Sequence, residues 1–261
     1  MQIPVSFDVK GKAVRGIIHI PKSRIDSSPI IIMCYGINGN RVEQHRMSYL
    51  FGKEAEKRGI CFFRFDYRGQ GISDGEFYDV SMESRKEDVL ESINFIKGCF
   101  HDENIKFALI GFSDGARIAT GISVLTDQIS SMVMWNPILS SNKIFNSTIK
   151  GVNNKSRFFR EPLSGKIVTS FYGLYLDNNY MREIKEDNSL DNFINYKGSK
   201  FCIFGSDDKL TVDLRKYIEL YLIENNKKDN IMIIKDARHL FGTTDWSNCV
   251  IDETLKWIVK N

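Results

Sequence analysis

The run Gly111-Phe-Ser113-Asp-Gly115 sets a serine two residues from a glycine on either side, the spacing of a nucleophile on a very tight turn. The apolar run Ile105 to Ile110 precedes it and the helical repeat Ile118, Ile122, Leu125 follows, so the turn joins a buried strand to a helix. Such a turn strains the backbone, demands small neighbours and lifts the hydroxyl clear of the sheet at a helix N-terminus. A serine hydroxyl is a weak nucleophile. It needs an imidazole to take its proton and a carboxylate to fix the imidazole tautomer.

Of the 4 histidines, His19 falls on an N-terminal hairpin, His45 on the helix after the first buried strand and His101 in a polar turn. These three positions suit structural or solvated roles. His239, in Asp236-Ala-Arg-His-Leu-Phe241, directly follows the apolar run Ile231 to Ile234. A loop there, at the carboxyl edge of a sheet, carries it over the serine. The acid is expected after the preceding strand, where Phe204-Gly-Ser-Asp207-Asp208 offers two carboxylates. Asp208, three residues beyond Gly205, is preferred, and Asp207 is left to cap or to contact an inserted segment. The order Ser113, Asp208, His239 is the one this strand-turn-helix architecture requires.

Acyl transfer also needs N–H donors for the negative oxygen of a tetrahedral intermediate. The backbone of Asp114, after the nucleophile, supplies one. Tyr35-Gly36-Ile37-Asn38-Gly39-Asn40 is the place for the second, with Ile37 N–H preferred and Asn38 the alternative. Gly36 and Gly39 would equally explain a plain strand-ending turn.

The elements that must position these residues are short apolar runs: 29–35, 60–67, 105–110, 132–135, 200–204 and 231–234. They read as buried parallel strands. Leu214, Tyr217, Ile218, Tyr221 and Leu222 follow the repeat of a half-buried helix, as do Val89, Ile93, Ile96 and Ile251, Leu255, Ile258. Ahead of them, 5–9 and 14–20 flank Gly11-Lys12 as an antiparallel hairpin on the sheet edge. The rhythm fails between Pro137 and Lys200, where Phe145, Phe158, Phe159, Phe171, Tyr172, Tyr175 and Tyr180 stand among Asn, Ser and Lys. So many aromatics predict a folded cap over residues 138–198, not a linker. Its cations Lys150, Lys155, Arg157 and Arg160 would meet an anionic or lipid-like substrate, or simply form a solvated face.

With 261 residues, 42% hydrophobic and 26% charged, the chain exceeds what disorder allows. A net charge of +3 with no single-sign block argues against nucleic acid. No apolar run nears the roughly 18 residues of a membrane span, and the N-terminus lacks the pattern of a secretion signal, so a cytoplasmic protein without a transmembrane segment is expected. The 5 cysteines (Cys34, Cys61, Cys99, Cys202, Cys249) form no Cys-x-x-Cys. Neither a disulfide framework nor a zinc site is indicated, and Cys34, Cys61 and Cys202 read as small core residues. Gly69-x-Gly71 has Asp74 where a dinucleotide fingerprint needs its third glycine.

Together these segments resemble the α/β-hydrolase superfamily, in particular its branch of serine aminopeptidases, monoacylglycerol lipases and feruloyl esterases. Asp66-Tyr-Arg-Gly69-Gln-Gly71-Ile-Ser resembles that family's Asp-x-Arg-Gly-x-Gly-x-Ser loop, and Tyr35-Gly36-Ile37 its His-Gly-x oxyanion turn. The resemblance implies one α/β-hydrolase domain over 1–261, with a mostly parallel sheet, helices on both faces and the cap inserted within it. It assigns nucleophile, acid and base to Ser113, Asp208 and His239, and oxyanion donors to the Ile37 and Asp114 amides. It implies no metal and no cofactor.

Two departures stand out. Tyr35 replaces the usual histidine before Gly36. Asp114 brings a carboxylate beside the nucleophile, which would favour an amine-bearing substrate or raise the basicity of His239, unless it faces outward at the helix start. The expected activity is hydrolysis of a carboxylic ester with an apolar or aromatic acyl part. A thioesterase or acyltransferase with an acyl-carrier partner, an amidase or aminopeptidase, and a binding protein on a hydrolase fold are the alternatives.

Overall fold

The computed structural model describes residues 1–25, 27–140, 158–171, 173–225 and 230–261. Strands β1 (Gln2–Val9) and β2 (Lys12–His19) pair antiparallel, with Val9 opposite Lys12. Along β1 the side chains alternate out and in, as befits a strand covered on one face. The central strands β3 (Ile30–Cys34), β4 (Phe62–Asp66) and β5 (Phe107–Phe112) are instead buried at every residue, because helices cover both faces. With β6 (Ile129–Trp135), β10 (Ser199–Gly205) and β11 (Ile231–Ile234) they complete an eight-stranded sheet of order β1-β2-β4-β3-β5-β6-β10-β11. The β1/β2 and β2/β4 pairs are antiparallel and all others parallel.

Strand order dictates where the helices lie. The step from β3 to β4 through α1 (Met47–Lys57) runs one way across the sheet, and the step from β4 to β5 through α2 (Met82–Phe100) runs back. Right-handed crossovers therefore put α1 and α2 on opposite faces. The helix after β5, α3 (Gly115–Ile122), lies against α2. After β10 comes α6 (Val212–Glu224), and the final helix α7 (Thr244–Lys260) packs beside α1, where Arg58 and Asp252 pair at 2.5 Å. A reciprocal capping box starts α2: Ser81 and Ser84 each accept the other's backbone N–H at 2.9 Å.

Two local expectations change. α3 ends at Ile122, and Leu125 is exposed in the turn that follows. His45 lies in a 3-10 turn, Gln44–Arg46, ahead of α1, because Glu43, His45 and Arg46 all have positive φ and the helix cannot begin before Met47. Cys34, Cys61 and Cys202 are buried in the core. Among the described residues no helix is long and apolar enough to cross a membrane.

Between β6 and β10 the described part of the insertion comprises a small antiparallel sheet, β7 (Phe158–Arg160), β8 (Ile167–Phe171) and β9 (Leu174–Asp177), followed by α4 (Asn178–Lys185) and α5 (Ser189–Asn195). Phe145, Lys150, Lys155, Arg157 and Tyr172 lie outside the described residues. Arg160 donates to the Gly165 carbonyl at 2.7 Å and closes its own hairpin. Two of its ties to the main body lie near the N-terminal end of α2. Lys166 Nζ reaches Asp79 at 2.7 Å, and Glu183 accepts the Met82 N–H at 2.7 Å at the start of α2.

Candidate active site

Ser113 stands at the β5-to-α3 turn with φ 54°, a left-handed conformation that costs a non-glycine residue on the order of 1–3 kcal/mol. The surrounding structure enforces it. Its N–H donates to the Trp135 carbonyl at 3.0 Å, and its own carbonyl accepts Ile138 N–H at 2.9 Å and Ala116 N–H at 3.2 Å. The two flanking glycines are required by close approach: a Cβ on Gly111 would meet Ala116 Cα at 2.7 Å, and one on Gly115 would meet the Cys34 carbonyl oxygen at 2.0 Å. The G-x-S-x-G spacing is thus a packing demand at the crossing of β3, β5 and α3.

The other two expected residues converge on this serine. His239 Nε2 lies 2.7 Å from Ser113 Oγ, and His239 Nδ1 lies 2.8 Å from Asp208 Oδ2. A carboxylate only accepts, so Nδ1 carries the ring proton and Nε2 presents a lone pair to the serine hydroxyl. Asp208 is fully buried and accepts further hydrogen bonds from Leu210 N–H at 3.0 Å and Thr211 Oγ1 at 2.7 Å. Asp207 turns outward to Arg238, 3.3 Å away. Phe112, the residue before the nucleophile, stacks on the His239 ring at 6.1 Å between centroids.

The turn after β3 abuts the serine. A Cβ on Gly36 would stand 3.4 Å from Ser113 Cβ and 3.7 Å from its Oγ. Ile37 is buried and its carbonyl accepts Gln70 Nε2 at 2.6 Å, whereas Asn38 is exposed. Among the described residues, neither the Ile37 nor the Asp114 N–H has a protein acceptor. Both N–H groups lie on the segments that meet at the nucleophile. Tyr35 spans inward: its hydroxyl accepts Tyr67 N–H at 2.8 Å and its ring packs on Tyr67 at 4.6 Å, tying the β3 turn to the end of β4.

Asp114 corrects both readings of its side chain. It neither faces solvent nor leaves a free charge beside the substrate. Its carboxylate is buried and accepts from Arg85 Nη1 at 2.6 Å and Tyr180 Oη at 2.6 Å, with Arg117 Nε at 3.2 Å. Burial alone would push its pKa up, but Arg85 and Arg117 outweigh that and hold it below the usual carboxylate range. Tyr180, read as a cap aromatic, belongs to this cluster and is itself buried.

Sequence reasoning missed three residues around the site. Asn136, at φ 39°, donates to the His239 carbonyl at 2.9 Å and accepts Gly205 N–H at 2.7 Å, joining the base loop to the strand that carries the acid. Gln70 props the oxyanion turn, and Arg85 reaches the same region from α2. Each acts on main-chain atoms of a distant segment, a contact that leaves no spacing in the sequence. The one signal for Asn136 was an Asn-Pro pair directly after a buried run.

A mixed sheet of this order, with a strained serine on its central strand-to-helix turn, defines a well-populated fold class. The chain belongs to the alpha/beta hydrolase fold family, whose model matches residues 29–171, more than half its length. No curated protein matches it. Among solved structures, Est1E from Butyrivibrio proteoclasticus, with ferulic acid bound, aligns with a TM-score of 0.75 at 16% identity over 98% of each chain. An esterase from Pyrococcus furiosus aligns with a TM-score of 0.67 at 16% identity over 100% of this chain and 91% of that one. The esterase domain of a Rhodothermus marinus protein aligns at 0.69 with 13% identity, covering 98% and 97%. At such identities the likeness is one of fold.

Proposed function

We propose that the protein is a serine hydrolase that cleaves a small carboxylic ester with an apolar or aromatic acyl part. The observation that carries this reading is the unbroken chain of hydrogen bonds from Asp208 through His239 to Ser113, at 2.8 and 2.7 Å. In that arrangement Ser113 Oγ attacks the acyl carbon while its proton passes to His239 Nε2. The Ile37 and Asp114 N–H groups receive the oxygen that becomes negative. The bond to the leaving alkoxide breaks as His239 returns the proton to it, leaving an acyl-serine. Water then attacks the acyl carbon, gives its proton to His239, and the carboxylic acid departs as serine regains the hydrogen.

The insertion over 138–198 is proposed to cap the site, since two of its ties grip the loop at Asp79 and the start of α2. Phe159 and Tyr175 meet edge to face at 5.3 Å on its small sheet and expose apolar surface suited to an acyl or aromatic group. The ferulic acid bound by Est1E gives the aromatic acyl class its place among the first substrates to try. Neutralisation of Asp114 by Arg85 and Arg117 removes the motive for an amine-bearing substrate.

The test is a fluorophosphonate probe on wild type and Ser113→Ala, followed by p-nitrophenyl esters of rising acyl length. Labelling and turnover by wild type, both lost in Ser113→Ala, are expected, and the chain-length optimum sizes the acyl pocket. Folded wild type that does not label would sink the catalytic reading and favour a binding protein on a hydrolase fold.

A further inference from the structure

Arg85 sits on α2, outside the serine, histidine and aspartate chain, with its side chain fully buried. A buried guanidinium needs acceptors, and the two terminal nitrogens of this one divide theirs between the two walls of the site. Nη2 donates to the carbonyl of Tyr35, one peptide unit before the Ile37 N–H. Nη1 donates to the Asp114 carboxylate at 2.6 Å and to Tyr180 Oη at 3.0 Å, and Asp114 owns the second N–H. The guanidinium also lies over the Tyr67 ring, 4.6 Å from its centroid. The two walls touch directly as well, since a Cβ on Gly115 would lie 2.6 Å from the Tyr35 carbonyl oxygen.

We infer that Arg85 is the positioning residue of the oxyanion hole: one planar fork fixes, from behind, the Tyr35 carbonyl and the Asp114 carboxylate, and so the spacing of the two N–H donors. The inference rests on the serine-hydrolase reading above. Its physical basis is that donors stabilise a developing oxyanion only when their geometry is set before charge appears. The Ile37 turn is a loop without regular secondary structure, and α2 is a capped helix of 19 residues. A fork hydrogen-bonded to both loops transfers the rigidity of the helix to them. Lysine keeps the charge but, as a point donor, cannot hold two acceptors in one plane. The Tyr180 contact brings α4 of the insertion into the same cluster, so the cap and the oxyanion hole share one buried anchor.

The experiment compares wild type, Arg85→Lys, the double variant Arg85→Met with Asp114→Asn, and Val89→Ala as a control. Val89 lies one turn along α2, fully buried in the core, with a side chain that has no polar atom. Each is measured for kcat and KM on one p-nitrophenyl ester, for inhibition by phenylboronic acid, and for Tm. Phenylboronic acid forms a tetrahedral adduct on the serine and reports the oxyanion hole, whereas a merely structural loss would not single it out. The double variant removes both partners together, where a single Arg85→Met would leave the buried Asp114 carboxylate without the nearer of its two arginines. A fall in kcat of about 10- to 100-fold is expected in both Arg85 variants. KM should stay within about threefold, and boronate affinity should fall in step with kcat. Val89→Ala should lower Tm while keeping kcat and boronate affinity. Unchanged kcat in either folded Arg85 variant, or a loss that Val89→Ala reproduces at equal Tm, overturns the positioning role and leaves the hydrolase reading intact. Wild type that neither labels with fluorophosphonate nor turns over removes both.

Discussion

At the scale of single residues, the two neighbouring aspartates show how a turn sorts identical side chains. Asp208 points inward to His239 and is held by Leu210 N–H and Thr211, while Asp207 stays half-exposed beside Arg238. An exposed pair of that kind contributes at most about 1 kcal/mol. Asp208→Asn should lower kcat by about 10⁴-fold by favouring the wrong imidazole tautomer, with Tm little changed. Asp207→Asn should stay within about twofold of wild type, so the ratio of the two kcat values decides the assignment. The convergence of Ser113, His239 and Asp208 was legible because the proposed chemistry fixes both residue type and position at strand ends. Asn136, Gln70 and Arg85 were not, since their partners are backbone carbonyls and amides far away in sequence.

At the scale of elements, the hairpin is fastened to the sheet through a buried histidine. His19, near the end of β2, contacts Glu56 of α1 through Nδ1 at 2.7 Å and accepts from Arg64 Nε of β4 at 2.9 Å. Desolvation by burial drives its pKa down to about 4, against the hydrogen bond it donates to Glu56, which favours the charged form. Between about 4 and the usual 6.5 the unfolded chain therefore binds a proton that the native one refuses. Stability contributed by this site is full above that window and is lost as pH falls through it. In urea titrations from pH 7 to pH 4, the stability of wild type relative to His19→Gln should decline with falling pH. A difference independent of pH would contradict a neutral buried imidazole. The core strands were readable because an interior parallel strand is covered on both faces and is therefore mostly apolar. The insertion's strands were not, since β7, β8 and β9 lie on a small surface sheet where no such run forms.

At the scale of the whole molecule, the insertion and the main body meet through polar ties, with Lys166 at Asp79 the most accessible. A half-exposed pair of this kind is worth less than about 1 kcal/mol, which corresponds to about fivefold in a binding constant. If the insertion closes over the acyl group, Lys166→Ala should raise KM for a long-chain p-nitrophenyl ester by about two- to fivefold and leave the acetate ester unaffected. An equal effect on both esters would detach the insertion from acyl binding.

The distribution of thiols has a practical reach of its own. Cys34 and Cys202 are fully buried, with burial pushing the Cys34 thiol up to about 12, while Cys99 is exposed near the C-terminal end of α2. A maleimide dye should therefore attach first at Cys99 in the native protein and at all five cysteines only in denaturant. Arg85 and Cys99 are fourteen residues apart on one helix, about 21 Å at the helical rise. Attachment there gives a spectroscopic or immobilisation handle remote from the serine, with no engineered cysteine required.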